Sequence, residues 1–138
     1  MIETAADFVR LVESEDPVER RRSTCEDAPL SVWKALVASH PDMRFWVANN
    51  RTVPDGILRI LARDNDWRVR HRVASKMSCP IDILELLSAD EHDSVASLIA
   101  GHPKTPTTAL RRLLKYPWDQ VVEKATRQLM VRGEELKG

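Results

Sequence analysis

Only two cysteines, Cys25 and Cys79, occur in the 138 residues, and neither has a second Cys or a His at zinc-ligand spacing. A disulfide framework and a cysteine-based zinc site are thereby excluded, and the pair reads as reduced thiols of a cytoplasmic protein. Glycine is scarce as well, at four residues. No Walker loop or dinucleotide glycine fingerprint occurs, and His-Glu-x-x-His, Gly-x-Ser-x-Gly and Cys-x-x-Cys are missing too. The nearest thing to an apolar run, Val95 to Ala100, is six residues broken by Ser97. A membrane-spanning helix needs ~20, so no membrane insertion is expected. The chain starts Met1-Ile2-Glu3-Thr4-Ala5-Ala6-Asp7, with acid where a secretory signal carries base, so export is not expected. Neither sign of charge is in excess: 21 basic and 21 acidic side chains give a formal net charge of zero. A bulk polycation that coats nucleic acid is ruled out. Aromatics make up 5%, yet four of them are Trp. The few large rings are therefore placed rather than scattered.

What is present is a repeat. Pro54, Pro80 and Pro106 stand 26 residues apart, and the same step relates Leu58, Leu84 and Leu110, then Leu61, Leu87 and Leu113. Val69, Val95 and Val121 keep it, as do Val73, Ile99 and Ala125. Pro29, Trp33 and Leu36 begin an earlier copy whose turn is one residue shorter, leading to Met43 and Val47. Before that, Val18 and Arg22 take the places of Val69 and Val73, and Phe8 with Leu11 form a degenerate first helix. Within one unit the proline starts a helix, since its missing N–H costs nothing in the first turn. Ile57, Leu58, Leu61 and Ala62 then make one apolar stripe at helical period. Asp64-Asn65-Asp66 breaks the pattern and caps a second helix that carries Val69, Val73 and Met77 on one face. Neither helix folds alone, but stacked copies bury each other's stripes.

The stretch Val47-Ala48-Asn49-Asn50-Arg51-Thr52-Val53-Pro54, followed by Leu58, Leu61-Ala62, Asp64, Asp66 and Val69-Arg70, resembles the variant leucine-rich repeat (LRV) family, a helical relative of armadillo and HEAT repeats. The match is best over 47–72; later units keep the Pro and Leu framework but replace Val-Arg by Val95-Ala96 and Val121-Val122. The resemblance implies an all-α, right-handed helical-repeat solenoid of about five units of ~26 residues, each a pair of short helices, the second partly 3-10. Residues 1–17 would form an N-terminal cap, 18–130 the repeats and 131–138 a polar C-terminal tail. The founding member of that family is associated with an iron–sulfur cluster on an additional Cys-rich segment. Two cysteines cannot build a four-thiolate cluster, so no cofactor is expected. The usual business of such scaffolds is binding macromolecules, and no catalytic residue is implied.

The register also sorts the second helices by face. At about 100° per residue, Val69, Val73 and Met77 define the core side, His71 and Arg68 point away, and Arg72 flanks the core. The two outward columns then read Arg20/Arg21, Phe45/Trp46, His71/Arg72, Ser97/Leu98 and Glu123/Lys124. In HEAT-like solenoids the second helices commonly line the concave face, which would gather these residues into one groove. Phe45 and Trp46 are either an exposed functional pair or inter-repeat packing. If exposed, they suit a protein hot spot or a stacking platform for a nucleobase. Arg44 and Arg70 share a column nearer the core; the acidic turn Asp64 to Asp66 lies within reach of its own unit or a neighbour, which points to a structural ion pair tying adjacent repeats, with direct ligand contact as the alternative.

Charge runs in blocks beneath the zero sum. Residues 1–19 hold one base and six acids, 20–76 twelve and six, 77–99 none and five, and 100–138 eight and four. The blocks read either as a solvated mosaic surface or as an electropositive region over the middle units that steers an acidic protein surface or a phosphate backbone. The four histidines are dispersed, and Asp64-Asn65-Asp66 and Asp90-Glu91-His92-Asp93 lack the Gly and terminal Glu of a calcium loop, so turn and capping roles are expected and no metal site. Certain HEAT-like DNA glycosylases use Trp, Arg and Asp on a concave face, but those domains are larger and no local motif here matches them. The expectation is a non-enzymatic protein-interaction module that presents Arg20, Arg21, Phe45, Trp46, Arg68, His71 and Arg72, with an immunity- or antitoxin-like role as a specific version. The alternative is a nucleic-acid binder using the same face.

Overall fold

The computed structural model describes residues 1–134; the expected tail from 135 to 138 lies outside the described residues. Every regular element among them is helical, with ten α-helices and no strand. They form two compact units, Met1–Asp64 and a second beginning at Asn65.

The first unit holds α1 (Ala5–Glu13), α2 (Pro17–Cys25), α3 (Leu30–Ser39), a 3-10 turn (Pro41–Met43), α4 (Arg44–Asn49) and α5 (Asp55–Leu61). Thr4 starts α1 by accepting the Asp7 N–H at 3.1 Å, and Asp16 starts α2 by accepting the Val18 N–H at 2.9 Å. Each satisfies one of the donors that a helix leaves unpaired at its first turn. The core is aromatic at its centre: Phe8 and Trp33, both fully buried, meet edge to face with centroids 5.5 Å apart. Leu11, Leu36, Met43, Val47, Ile57 and Leu61 pack into the same core.

One expectation for this unit fails. Val18 and Arg22 do not take core places: Val18 is 70% exposed, and Arg22 lies at the surface paired with Glu26. The sole buried residue of α2 is Ser23. The reason is compositional, because a helix reading PVERRRSTC has no apolar stripe to bury. Ser23 can go inside because its hydroxyl donates to the Arg20 carbonyl at 2.6 Å and its own carbonyl accepts from Asn50 at 2.8 Å.

The second unit holds α6 (Trp67–Ala74), α7 (Ile81–Leu87), α8 (Asp93–Gly101), α9 (Thr107–Leu113) and α10 (Asp119–Val131). Here the 26-residue step becomes a core: Val69, Val95, Val121, Val73, Ile99, Ala125, Leu84, Leu110, Leu87 and Leu113 are all buried. Across both units Pro29, Pro54, Pro80 and Pro106 sit one residue before the helix they announce, with extended ψ of 145° to 153°. The Pro54 carbonyl accepts from Ile57 and Leu58, and Pro80 does the same for Ile83 and Leu84. The ring thus serves as the last non-helical residue rather than the first helical one.

Met77 is a second correction. The α6 helix stops at Ala74, the chain turns, and Met77 is 62% exposed, so the core stripe is Val69, Val73 and Ala74. Val131, expected to open the polar tail, is helical instead. Val131 is the last residue of α10, and Gly133 at φ +73° closes the helix, its N–H donating to Met130 while the Glu134 N–H reaches the Leu129 carbonyl. That pair of hydrogen bonds around a left-handed glycine is a Schellman closure.

A polar column runs through the same register. Asn50 donates to the Ser23 and Glu26 carbonyls at 2.8 and 3.0 Å, inside the first unit. In the second unit His102 Nε2 bonds the Lys76 carbonyl at 2.9 Å, and Gln128 donates to the His102 carbonyl at 3.0 Å. Positions 50, 76, 102 and 128 are spaced by 26. Three of these side chains tie their segment, a helix end at Asn50 and His102 and α10 itself at Gln128, to the chain roughly one period earlier.

Candidate partner-binding surface

The expected surface residues divide between the two units. In the first, Arg20 and Arg21 are exposed on α2, which packs against α4. Arg20 reaches the Ser14 carbonyl only at 3.4 Å. Beside Arg21 the exposed Cys25 thiol is held below its ordinary value, chiefly by the Thr24 hydroxyl, with the charges of Arg51 and Arg21 adding to it. On α4, Trp46 is 40% exposed and Phe45 half-buried. Their rings meet edge to face, with centroids 5.1 Å apart and planes at 89°. The 3-10 turn at Pro41–Met43 sets the orientation of α4: Met43 and Val47 go inward, and Trp46 is left outside. No ring contact or hydrogen bond links Arg20 or Arg21 to these rings among the described residues.

In the second unit Arg68 is exposed but its charge is committed. Its Nε and Nη2 approach the two oxygens of Asp66 at 3.2 Å each, and the arginine holds the Asp66 carboxyl below its usual range. His71 is half-buried, and burial, followed by the charges of Arg72 and His92, pushes its imidazole down. Arg72 is half-buried and donates to the Ser75 hydroxyl. Of these three residues, His71 meets a ring that the sequence reading did not single out. Trp67, 37% exposed, receives the His71 ring edge-on at 6.0 Å and stacks on His92 at 4.1 Å, with planes only 12° apart. A signal for this was available: His92 stands 26 residues after Asp66, the N-cap immediately before Trp67. Each of the two residues caps its helix, Asp66 through Arg68 and His92 through Ser94. The capping position of one helix thus brings a ring onto the first residue of another.

Arg44 and Arg70 turn out to be structural. Arg70 forms a two-pronged pair with Asp90, at 2.7 and 3.2 Å, and also donates to the Asn65 carbonyl. Arg44 bonds the Val37 carbonyl at 2.8 Å and Asp64 at 3.3 Å. Both arginines pair with the carboxylate 20 residues on. At the next step the places are held by Ala96 and Tyr116. Tyr116 instead donates to Asp93 at 3.0 Å, and burial together with that carboxylate pushes its hydroxyl up to about 12.

Among the described residues no group of three or more His, Cys, Asp or Glu could hold a metal ion, and no helix is long and apolar enough to cross a membrane. No protein-family model, curated protein or solved structure matches the chain.

Proposed function

We propose that the chain is a non-enzymatic protein-interaction module. It would be a right-handed helical-repeat solenoid of the LRV and HEAT type, binding a partner protein through aromatic rings flanked by arginine. The observation that carries this reading is Trp46. A six-residue helix leaves a Trp ring 40% exposed and fixes it edge-on against Phe45, although the same helix buries Val47 and Ala48 completely. A ring held in one orientation loses little freedom on binding, and Trp and Arg are the residues in which interface energy concentrates. Arg20 and Arg21 in the first unit, and Arg68, Arg72 and the His71 beside Trp67 in the second, supply further polar contacts.

The test is affinity capture with the purified chain, comparing the wild type with Trp46→Ala and with Phe45→Ala/Trp46→Ala, each checked for native helicity. Loss of the Trp46 ring should weaken a specific partner by ~2 kcal/mol or more, about thirtyfold in Kd. Undiminished capture by a folded double variant would remove this surface from the function. The same rings also suit base stacking, which makes nucleic acid the second reading. A phosphate-binding mode requires affinity to fall log-linearly with salt and captured material to disappear on nuclease treatment.

A further inference from the structure

The second unit contains a pocket of about 500 Å³ between the end of α8 and the outer face of α10, lined by Gly101, Pro103, Lys124, Arg127, Gln128 and Val131. That volume lies within the range of ligand sites. We propose that it docks a short acidic peptide segment of a partner protein. An apolar side chain would lie against Gly101, Pro103 and Val131, and a carboxylate would take Lys124 and Arg127.

The charges argue for this occupant. No carboxylate lines the pocket among the described residues. Lys124 donates to the Ser97 hydroxyl at 2.7 Å and keeps two further donors. Arg127, exposed on α10, has no hydrogen bond or ion pair among the described residues. Two carbonyls beside the pocket already accept side-chain donors: that of His102 from Gln128, and that of Pro103 from Arg132 at 3.0 Å. The pocket therefore offers donors and positive charge.

The walls argue for a peptide over a polynucleotide. Val131 is 81% exposed. Apolar area beside unused arginine donors fits a side chain flanked by acids, while no aromatic ring lines the pocket to stack a base. Space is also available at its inner wall. A Cβ added at Gly101 would meet nothing within 4 Å, and this glycine has no left-handed backbone to preserve. Its bareness leaves room above the end of α8.

The site is built from residues of the second unit alone, so its test is independent of Trp46. The full chain, ¹⁵N-labelled, is titrated with acetyl-Asp-Glu-Leu-Glu-Asp-amide. Saturable shifts are expected at the amides of Gly101, Lys124, Arg127, Gln128 and Val131, with a Kd on the order of 0.1–1 mM. Replacing the peptide's Leu by Gly should weaken binding about tenfold. Lys124→Gln/Arg127→Gln should weaken it about five- to tenfold through charge alone. Gly101→Leu, whose Cβ finds open space and whose side chain takes up room in the pocket at unchanged charge, should weaken it by a similar factor. The proposal is overturned if no saturable shift appears up to about 10 mM, or if the Gly peptide or inorganic phosphate binds as well as the Leu peptide, which would leave only a cationic patch. It is equally overturned if a thymidine oligonucleotide binds the same amides more tightly, or if Gly101→Leu leaves peptide affinity unchanged.

Discussion

The two units bury their helices by different means. The second is made of interchangeable aliphatic positions: Val95 and Val121, Ile99 and Ala125, and Leu84 and Leu110 fill matching places one period apart. The first has an α2 with no apolar stripe, and it compensates with one large aromatic pair, Phe8 and Trp33, and with Asn50 clamping the carbonyls of Ser23 and Glu26. A helical unit whose apolar stripe is missing can still be held if its backbone groups are gripped by a buried amide. The grip is specific rather than redundant, so single substitutions should cost the first unit more than the second.

The largest effect should come from the aromatic pair. Trp33→Ala removes a fully buried ring and is expected to cost ~3–5 kcal/mol in urea denaturation, against ~2–3 for Ile99→Ala in the regular unit. Amide exchange should show the loss first in α1 and α3. Trp33 has one further property: its Nε1–H is buried with no partner among the described residues. Such a donor carries a desolvation penalty, so Trp33→Phe should cost far less than Trp33→Ala. An Ile99→Ala penalty equal to or larger than that of Trp33→Ala would break the comparison.

The two arginine–aspartate pairs permit a like-for-like comparison. In the second unit the side chains of Arg70 and Asp90 are only 14% and 6% exposed, whereas those of Arg44 and Asp64 in the first are 29% and 9%. Stranding a buried charge costs more than stranding a wetted one. We expect Arg70→Met to cost ~2–3 kcal/mol and Arg44→Met ~1–2. A double-mutant cycle with Asp90→Asn should give a larger coupling than one with Asp64→Asn. Here the order of the units reverses, and equal couplings would show that the difference in exposure has no energetic consequence.

The polar column gives a smaller contrast. Asn50 is fully buried, and Asn50→Ala leaves two carbonyls and the Thr52 N–H without their amide partner. A cost of ~2 kcal/mol is expected by thermal or urea unfolding. Gln128 is half-exposed and makes one such bond, so Gln128→Ala should cost ~1 kcal/mol or less. A reversal of that order would mean that the clamp is not what substitutes for the missing stripe of α2.

These contrasts also explain what could be read beforehand. Helical class, the proline starts, the capping by Asp66 and the buried columns from Leu58 to Ala125 follow from periodicity, because a repeated apolar position has the same environment in each copy. Val18 and Met77 were misplaced for the converse reason: extending a register into α2 or past Ala74 assumes a helix face that local composition does not sustain. The pairing of Arg70 with an acid was legible from its place near the core. Trp67 on His92 was signalled only by the 26-residue step from Asp66 to His92, and the stacking itself follows only once the cap geometry of α8 is known. The outward placement of Trp46 depended on how the shortened turn rotates α4, which spacing alone leaves open. The pocket at Gly101 carries no motif, being only a gap between a helix end and a neighbouring helix.

The smallest expected effect concerns the register position where the units differ in kind. Asn50 occupies it in the first unit and does not titrate, while Lys76 occupies it in the second, half-buried. Burial, followed by the charge of Arg72, pushes the Lys76 ammonium down to about 8. Between that value and its ordinary 10.5 the unfolded chain binds more protons than the folded one, so stability from this group rises with pH across that window. Below about 8 both states are protonated and the full penalty for charging Lys76 persists. Tyr116 acts in the opposite sense, because its hydroxyl is pushed up to about 12 and its contribution declines only above the ordinary tyrosine value of ~10. The Cys25 thiol, held below its ordinary value, contributes in the same region, so the lysine is isolated by the difference between wild type and Lys76→Met from about pH 7.5 to 9.5. Over that range wild type should gain stability relative to Lys76→Met, with the two curves converging toward high pH, whereas Asn50→Ala should run parallel to wild type throughout. A Lys76→Met curve parallel to wild type would place the ammonium in water, and the two units would then differ at this position in hydrogen bonding alone.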